Sequence, residues 1–188
     1  PYTTLFRSLG FVGFMRPWHG LDRALRAMAA SGRDDLHLLL IGDGSARAGL
    51  EQLARELGLG ERLTAAGIVQ REEIPAHVAA FDIALQPAVT PYASPLKLFE
   101  YMALARPIIA PASDNIREIL SDGDDALLVA PDDEAAFRTA LMTLIDDPAL
   151  RQRLGAAARR TLKARDLTWS GNAARVERLA EALLKQRS

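Results

Sequence analysis

The sequence predicts an α/β fold built as an open parallel sheet with helices on both faces. Three observations carry this. Short apolar runs such as Leu36–Ile41 and Ile108-Ile109-Ala110 read as strands buried on both sides, the habit of parallel sheets. Segments with apolar residues at helical spacing follow these runs, as in Leu50, Leu53, Ala54 and Leu57. Glycine and aspartate turns punctuate the alternation, among them Gly42-Asp43-Gly44 and Asp122-Gly123. A sheet of this kind holds its ligand at the carboxyl ends of the strands.

Bulk properties narrow the field. A chain of 188 residues that is 49% hydrophobic can bury a substantial core, here read as a single domain over residues 9–188. A net charge of −1 gives no basic footprint for nucleic acid. The absence of cysteine excludes a disulfide framework and a thiolate metal site, and fits a reducing compartment. No apolar run reaches the roughly 20 residues that cross a bilayer. The opening Pro1–Ser8 fits neither a strand nor a helix pattern, so residues 1–8 read as foreign to the fold and the chain as a fragment.

In order, Leu9–Phe14 is a first strand, and the loop Met15–Gly20 leads to a helix over Leu21–Ala30 with Leu21, Leu25 and Met28 inward. Strand Leu36–Ile41 ends in Gly42-Asp43-Gly44-Ser45, and a helix over Ala46–Leu57 follows. Those glycines allow a sharp turn or the close approach of a ligand, and the residues alone leave both readings open. Neither G-x-G-x-x-G nor a Walker A motif occurs. A weaker strand over Arg62–Ala66 closes at Gly67-Ile68-Val69, and Glu72–Pro75 starts another helix. The run Phe81–Pro87 is a strand that delivers the chain to the loop Ala88–Ala93.

The next stretch, Ser94–Ala103, is the candidate site. Ser94 is a good N-cap, Pro95 suits the first helical position, and Leu96, Phe99, Met102 and Ala103 form the inward stripe. Ser94, Lys97 and Glu100 then share the opposite side. Free N–H groups, a hydroxyl and a lysine at a helix start seat a phosphate. One turn on, the Glu100 carboxylate can accept from the two hydroxyls of a ribose. The same residues are also compatible with an ordinary capped helix carrying a solvated Lys/Glu pair.

Strand Arg106–Pro111 follows, then a short helix capped by Asp114 and running through Leu120. Asp122-Gly123-Asp124 reads as a turn rather than a metal site, because no further ligand is spaced to complete one. Asp132-Asp133-Glu134 caps a helix with Phe137, Leu141, Leu144 and Ile145 on one face, and Asp147-Pro148 opens the next, with Leu150, Leu154 and Leu162. The charges of Arg151, Arg153, Arg159 and Arg160 read as a solvated face. Thr168-Trp169-Ser170 breaks the pattern before a last helix carrying Val176, Leu179 and Leu183.

The segment "SPLKLFEYMALARPIIAPASDNIRE", from Ser94 to Glu118, resembles the donor-binding signature of retaining glycosyltransferases of the GT-B fold, most closely glycosyltransferase family 4. The resemblance extends from Leu9 to the end of the chain. It implies a Rossmann-like domain that is one half of a GT-B fold, with a final helix crossing toward a missing N-terminal, acceptor-binding domain. It implies a nucleotide-diphosphate sugar as donor substrate and no metal or other cofactor. By the same resemblance, Lys97 meets the diphosphate with Arg16 and His19 in support, while Glu100 holds the ribose. Gly13, Gly42 and Gly44 line the cleft, Ile68 and Val69 face the base, and Ser94, Pro95 and Leu96 frame the phosphates. A cytoplasmic protein follows, peripheral to the inner face of a membrane through that N-terminal domain.

Two departures stand out. Where family sequences read VGRxxxxKG, this chain has Phe14 and His19 at the basic positions, in a "PWHG" variant. Tyr92 stands where the family carries its first glutamate; it can bond a sugar hydroxyl or stack on a ring. Two alternative readings remain beside the transferase: a nucleotide-sugar epimerase of the same fold, and a non-catalytic nucleotide-sugar binding module.

Overall fold

Six apolar runs too short for helices form one parallel sheet in the computed structural model, which describes residues 6–185. Strands β1 (Arg7–Val12), β2 (Leu36–Ile41), β3 (Leu63–Gly67), β4 (Ile83–Leu85), β5 (Ile108–Pro111) and β6 (Leu127–Val129) lie in the order β3-β2-β1-β4-β5-β6. All neighbours are parallel, and Leu9 stands opposite Leu38 on one side and Ile83 on the other. Between β1 and β4 the winding reverses, so successive chains leave their carboxyl ends in opposite directions and a crevice opens there.

Strand alternation feeds two cores. Leu9, Phe11, Ile83, Leu85 and Ile109 meet α1 (Leu21–Ser31), α2 (Arg47–Glu56) and α6 (Glu134–Asp146). Val12, Ala84, Ile108 and Ala110 meet α3 (Ile74–Ala79), α4 (Lys97–Ala103) and α5 (Asp114–Arg117). Helix α7 (Pro148–Ala164) lends Leu154 to the first core and Ala158 to the second. The Asp133 and Asp147 carboxylates cap α6 and α7 by accepting from the N–H groups of Ala136 and Leu150, each at 2.8 Å. The turn reading at Asp122 also fits, since its carboxylate accepts from Leu128 N–H at 2.8 Å. The apolar residues of α8 (Trp169–Lys185) lie on the surface, with Val176, Leu179 and Leu183 each more than 60% exposed.

Several boundaries differ from expectation. Strand β1 starts at Arg7, paired with Leu36, and Ser8 is held by the Asp82 carboxylate at 2.9 Å, so Arg7 and Ser8 belong to the fold. Polar Ser8 hid the strand start from a reading based on apolar runs. Pro1–Leu5 lie outside the described residues. β1 ends at Val12, which leaves Phe14 in the loop, 67% exposed. Ser113 rather than Asp114 occupies the cap position of α5, which closes by Arg117.

The largest difference concerns α4. It starts at Lys97 with Leu96 in the cap position, and Ser94 does not cap it. Leu98 and Phe99 N–H instead donate to the carbonyls of Pro95 and Leu96 in a tight turn that leads into the helix. The inward face is Leu98, Tyr101 and Met102, all fully buried, while Leu96 is 57% exposed and Ala103 lies outside. Of the predicted stripe only Met102 is fully buried, and Phe99 is half-buried.

Candidate functional site

At the carboxyl ends of β1 and β2 the two loops lie backbone on backbone. Gly13 N–H donates to Ile41 O, Gly42 N–H to Gly67 O and Met15 N–H to Asp43 O, each at 2.8 Å. A Cβ on Gly42 would stand 2.3 Å from the Gly13 carbonyl oxygen, at φ +118, where side chains are already strained. A Cβ on Gly44 would stand 2.3 Å from Met15 O. Gly44 therefore serves loop-to-loop packing, and Gly42 serves the same packing while also bordering the hollow described below.

Onto this floor α4 delivers Lys97. Its ammonium lies 4.1 Å from the Phe11 ring centroid, within cation–π range. A Cβ on Gly13 would be 3.1 Å from Lys97 Cε and 3.4 Å from Nζ, so the lysine passes where only glycine leaves room. Among the described residues Lys97 has no hydrogen-bond partner and no carboxylate within ion-pair distance. Burial lowers its pKa to about 8, with Glu100 pulling weakly the other way. A half-buried, unpaired cation at a strand-end crevice is costly unless an anion joins it.

The loop from β1 to α1 supplies His19 and Arg16. Pro17–His19 form one 3-10 turn in which His19 Nδ1 accepts from Arg16 N–H at 3.2 Å and His19 C=O accepts from Ala88 N–H at 3.0 Å. The imidazole lies 5.1 Å from the Phe11 ring. Burial first, and then the Lys97 charge, lower its pKa to about 4, so His19 is neutral at pH 7. It fixes the loop and can share a hydrogen bond, but it adds no charge. The Arg16 guanidinium instead lies 5.6 Å from the ring centre of exposed Trp18.

Beside the lysine is an open hollow of about 200 Å³, lined by Gly13, Phe14, Gly42, Ile68, Val69 and Ile74. Ile68 is 78% exposed, too much for a core role. Ile74 also lines a neighbouring trough of about 270 Å³ that holds Glu100 and Arg71. Burial raises the Glu100 pKa, against the opposing pull of Lys97 and Arg71. The hollow and the trough thus flank the Lys97–Glu100 turn with an apolar surface next to a carboxylate.

The structure brings Gly13, His19, Gly42, Ile68, Val69, Lys97 and Glu100 to one end of the sheet. It leaves Tyr92 at the rim, 90% exposed, with Ser94 and Leu96 also exposed and Pro95 half-buried. The loop carrying Tyr92 is held by Asn115, whose Nδ2 donates to Thr90 O at 3.2 Å and Ala93 O at 2.6 Å. Phe11, Tyr101 and Asn115 escaped the sequence reading. Each acts through a ring face, a buried hydroxyl or a carbonyl contact, which leaves no spacing signal.

Residues 7–147 match the family model for "Glycosyl transferases group 1". The chain belongs to this family. Like it is a phosphatidyl-myo-inositol mannosyltransferase of Mycobacterium leprae, 30% identical over 186 residues, 97% of this chain and 48% of that protein. A D-inositol 3-phosphate glycosyltransferase of Thermomonospora curvata is 31% identical across 91% of this chain and 41% of its own length. Among solved structures, sucrose-phosphate synthase from Thermosynechococcus elongatus superimposes with a TM-score of 0.85 at 26% identity, over 96% of this chain and 46% of that one. Anabaena HepE in complex with UDP shares the fold, with a TM-score of 0.82 at 21% identity over 94% of this chain and 49% of its own. This member of the group 1 glycosyl transferases therefore spans less than half the length of these relatives, and its sheet is the Rossmann-like unit of the GT-B neighbours.

Proposed function

We propose that this chain is the donor-binding half of a retaining, family 4 glycosyltransferase that takes its sugar from a nucleotide-diphosphate sugar. The unpaired Lys97 ammonium, over Phe11 and against Gly13, is the observation that carries this reading. A diphosphate there supplies the missing counter-charge, and Lys97 in turn stabilises the negative charge that grows on the leaving group. Glu100 takes the ribose hydroxyls, and Ile68 and Val69 pack on the base in the adjoining hollow. Arg16 and neutral His19 support the phosphate loop from the β1 side. In this reading side chains rather than a metal balance the diphosphate, and no cofactor takes part. HepE, a structural neighbour, binds UDP, which supports a nucleotide-sugar ligand for this fold.

The acceptor domain lies in the part of the relatives that this chain does not span. A reducing, cytoplasmic compartment fits the cysteine-free composition, and contact with the inner face of a membrane is assigned to that domain. Among the described residues no helix is long and apolar enough to cross a membrane. Calorimetry with UDP, GDP and ADP tests the donor site. One of these binds the wild-type chain, and Lys97→Ala weakens it about 10–100-fold, the share of one charged hydrogen-bonded contact. Equal affinities for the two proteins reject the diphosphate contact.

A further inference from the structure

Lys97 is held in an unfavourable place, and something must keep it there. Within its own first turn only the buried Leu98 side chain packs inward, and no side-chain hydrogen bond ties that turn to the sheet. The cap residue Leu96 offers no side-chain bond, and the helix spans only seven residues. The anchor lies one turn further on, on the buried face.

We propose that Tyr101 is a positioning residue: its hydroxyl locks α4 to the ends of β1 and β4 and so sets Lys97 against Gly13 and Phe11. The Tyr101 ring is fully buried, edge-on to Phe81 at 6.2 Å between centroids. Its hydroxyl accepts from Val12 N–H at 3.1 Å and reaches toward Leu85 O at 3.5 Å. Val12 precedes Gly13, and Leu85 closes β4, so one oxygen reads the position of both strands at the crevice. The two strands are the ones between which the sheet winding reverses. Tyr101 and Lys97 are four residues apart on one helix and therefore move together. Removing the hydroxyl leaves Val12 N–H buried without an acceptor, which the helix can relieve only by shifting and letting water in. A shift of α4 at this end carries Lys97 off the Phe11 ring and toward solvent.

The groups facing Lys97 are Glu100 on its own helix and His19 on the β1–α1 loop, with Arg16 acting on His19 and Arg71 on Glu100. None of them is altered by Tyr101→Phe. The side-chain titration of Lys97, followed by carbon NMR on the ligand-free chain, therefore reports its position. In the wild type it titrates near 8, and in Tyr101→Phe it moves up toward 10.5. Phe81→Leu, which loosens the same core without touching the hydroxyl, leaves the titration in place and controls for simple destabilisation. An unchanged Lys97 titration in folded Tyr101→Phe overturns the proposal, as does an equal shift in Phe81→Leu.

A second arm rests on the diphosphate reading above. Tyr101→Phe weakens nucleoside diphosphate binding about tenfold in the wild-type background and clearly less in Lys97→Ala, because the residue acts chiefly through the lysine, with Glu100 on the same helix carrying the remainder. Additive losses in the two backgrounds count against positioning. If the titration moves while no diphosphate binds the wild type, the positioning role stands and the donor-site reading falls.

Discussion

The two ends of the segment from Ala88 to Met102 obey different physics. From Lys97 onward packing places most side chains: Leu98, Tyr101 and Met102 are fully buried, and Lys97 is threaded between Phe11 and Gly13. Upstream, the loop is tied by its backbone, through Asn115 bonds to Thr90 O and Ala93 O, and by half-buried Val89, while Pro91, Tyr92 and Ser94 are exposed. The packed end is fixed by contacts within the chain. The rim leaves Tyr92 exposed, and in the proposed reading the donor sugar lies on that side.

Substitutions separate the two ends by size of effect. Gly42→Ala drives a Cβ to 2.3 Å from the Gly13 carbonyl at a left-handed φ, and about 3 kcal/mol of stability is lost, read as a lowered urea midpoint. Gly13→Ala is milder in stability, about 1–2 kcal/mol, because the atoms it meets are the flexible end of Lys97 at 3.1 and 3.4 Å. Its larger effect is on ligand, since the displaced ammonium loses its seat; calorimetry with a nucleoside diphosphate then shows weaker binding. Should Gly13→Ala bind as well as wild type, the packed end would be more forgiving than its contacts indicate.

Protonation gives the next effect. Lys97 titrates near 8 in the folded chain and at the ordinary 10.5 when unfolded, so between those values the unfolded state holds more protons. Stability contributed by this group therefore rises with pH across that window, and Lys97→Met raises the unfolding midpoint at pH 7. Ligand binding runs the other way and weakens from pH 7 to pH 9, as the free ammonium is lost. His19 behaves in parallel at acid pH: held near 4 against 6.5 unfolded, it costs stability as pH falls through that interval. Denaturation series at pH 4, 6, 8 and 10 check both signs.

The rim responds least. Asn115→Ala removes two carbonyl contacts and costs about 1 kcal/mol, with faster amide exchange confined to the Thr90–Ala93 loop and diphosphate affinity retained. Tyr92→Phe changes stability by less than about 0.5 kcal/mol, since the side chain is 90% exposed. A large loss from either would mean that the rim is built into the site as firmly as the helix.

The fold was legible because parallel strands announce themselves as apolar runs. Leu36–Ile41 matches β2 residue for residue, and Ile108, Ile109 and Ala110 lie in β5. The convergence of Lys97, Glu100, Ile68, Val69, Gly13 and Gly42 at one end of the sheet was legible in outline as a candidate site. Ser94 was misread because an N-cap serine before proline is a local signal, and here the Pro95–Leu96 turn delays the helix to Lys97. The inward stripe was misread for a related reason. Tyr101, a polar-tipped residue, fills the deepest position because Val12 N–H and Leu85 O give its hydroxyl partners that only the folded sheet supplies. His19 stands where the family carries a basic residue, and in the structure it is neutral at pH 7, because burial, more than any neighbour, sets its protonation.

In the proposed reading the unpaired Lys97 ammonium meets a diphosphate. The most direct measurement of that contact is the Lys97 side-chain titration by NMR with saturating UDP, GDP or ADP, each against its parent nucleoside. The diphosphate that binds raises the Lys97 pKa above its unliganded value near 8, and the nucleoside leaves it there. An unmoved titration with a bound diphosphate, or the same shift from the nucleoside, contradicts the account.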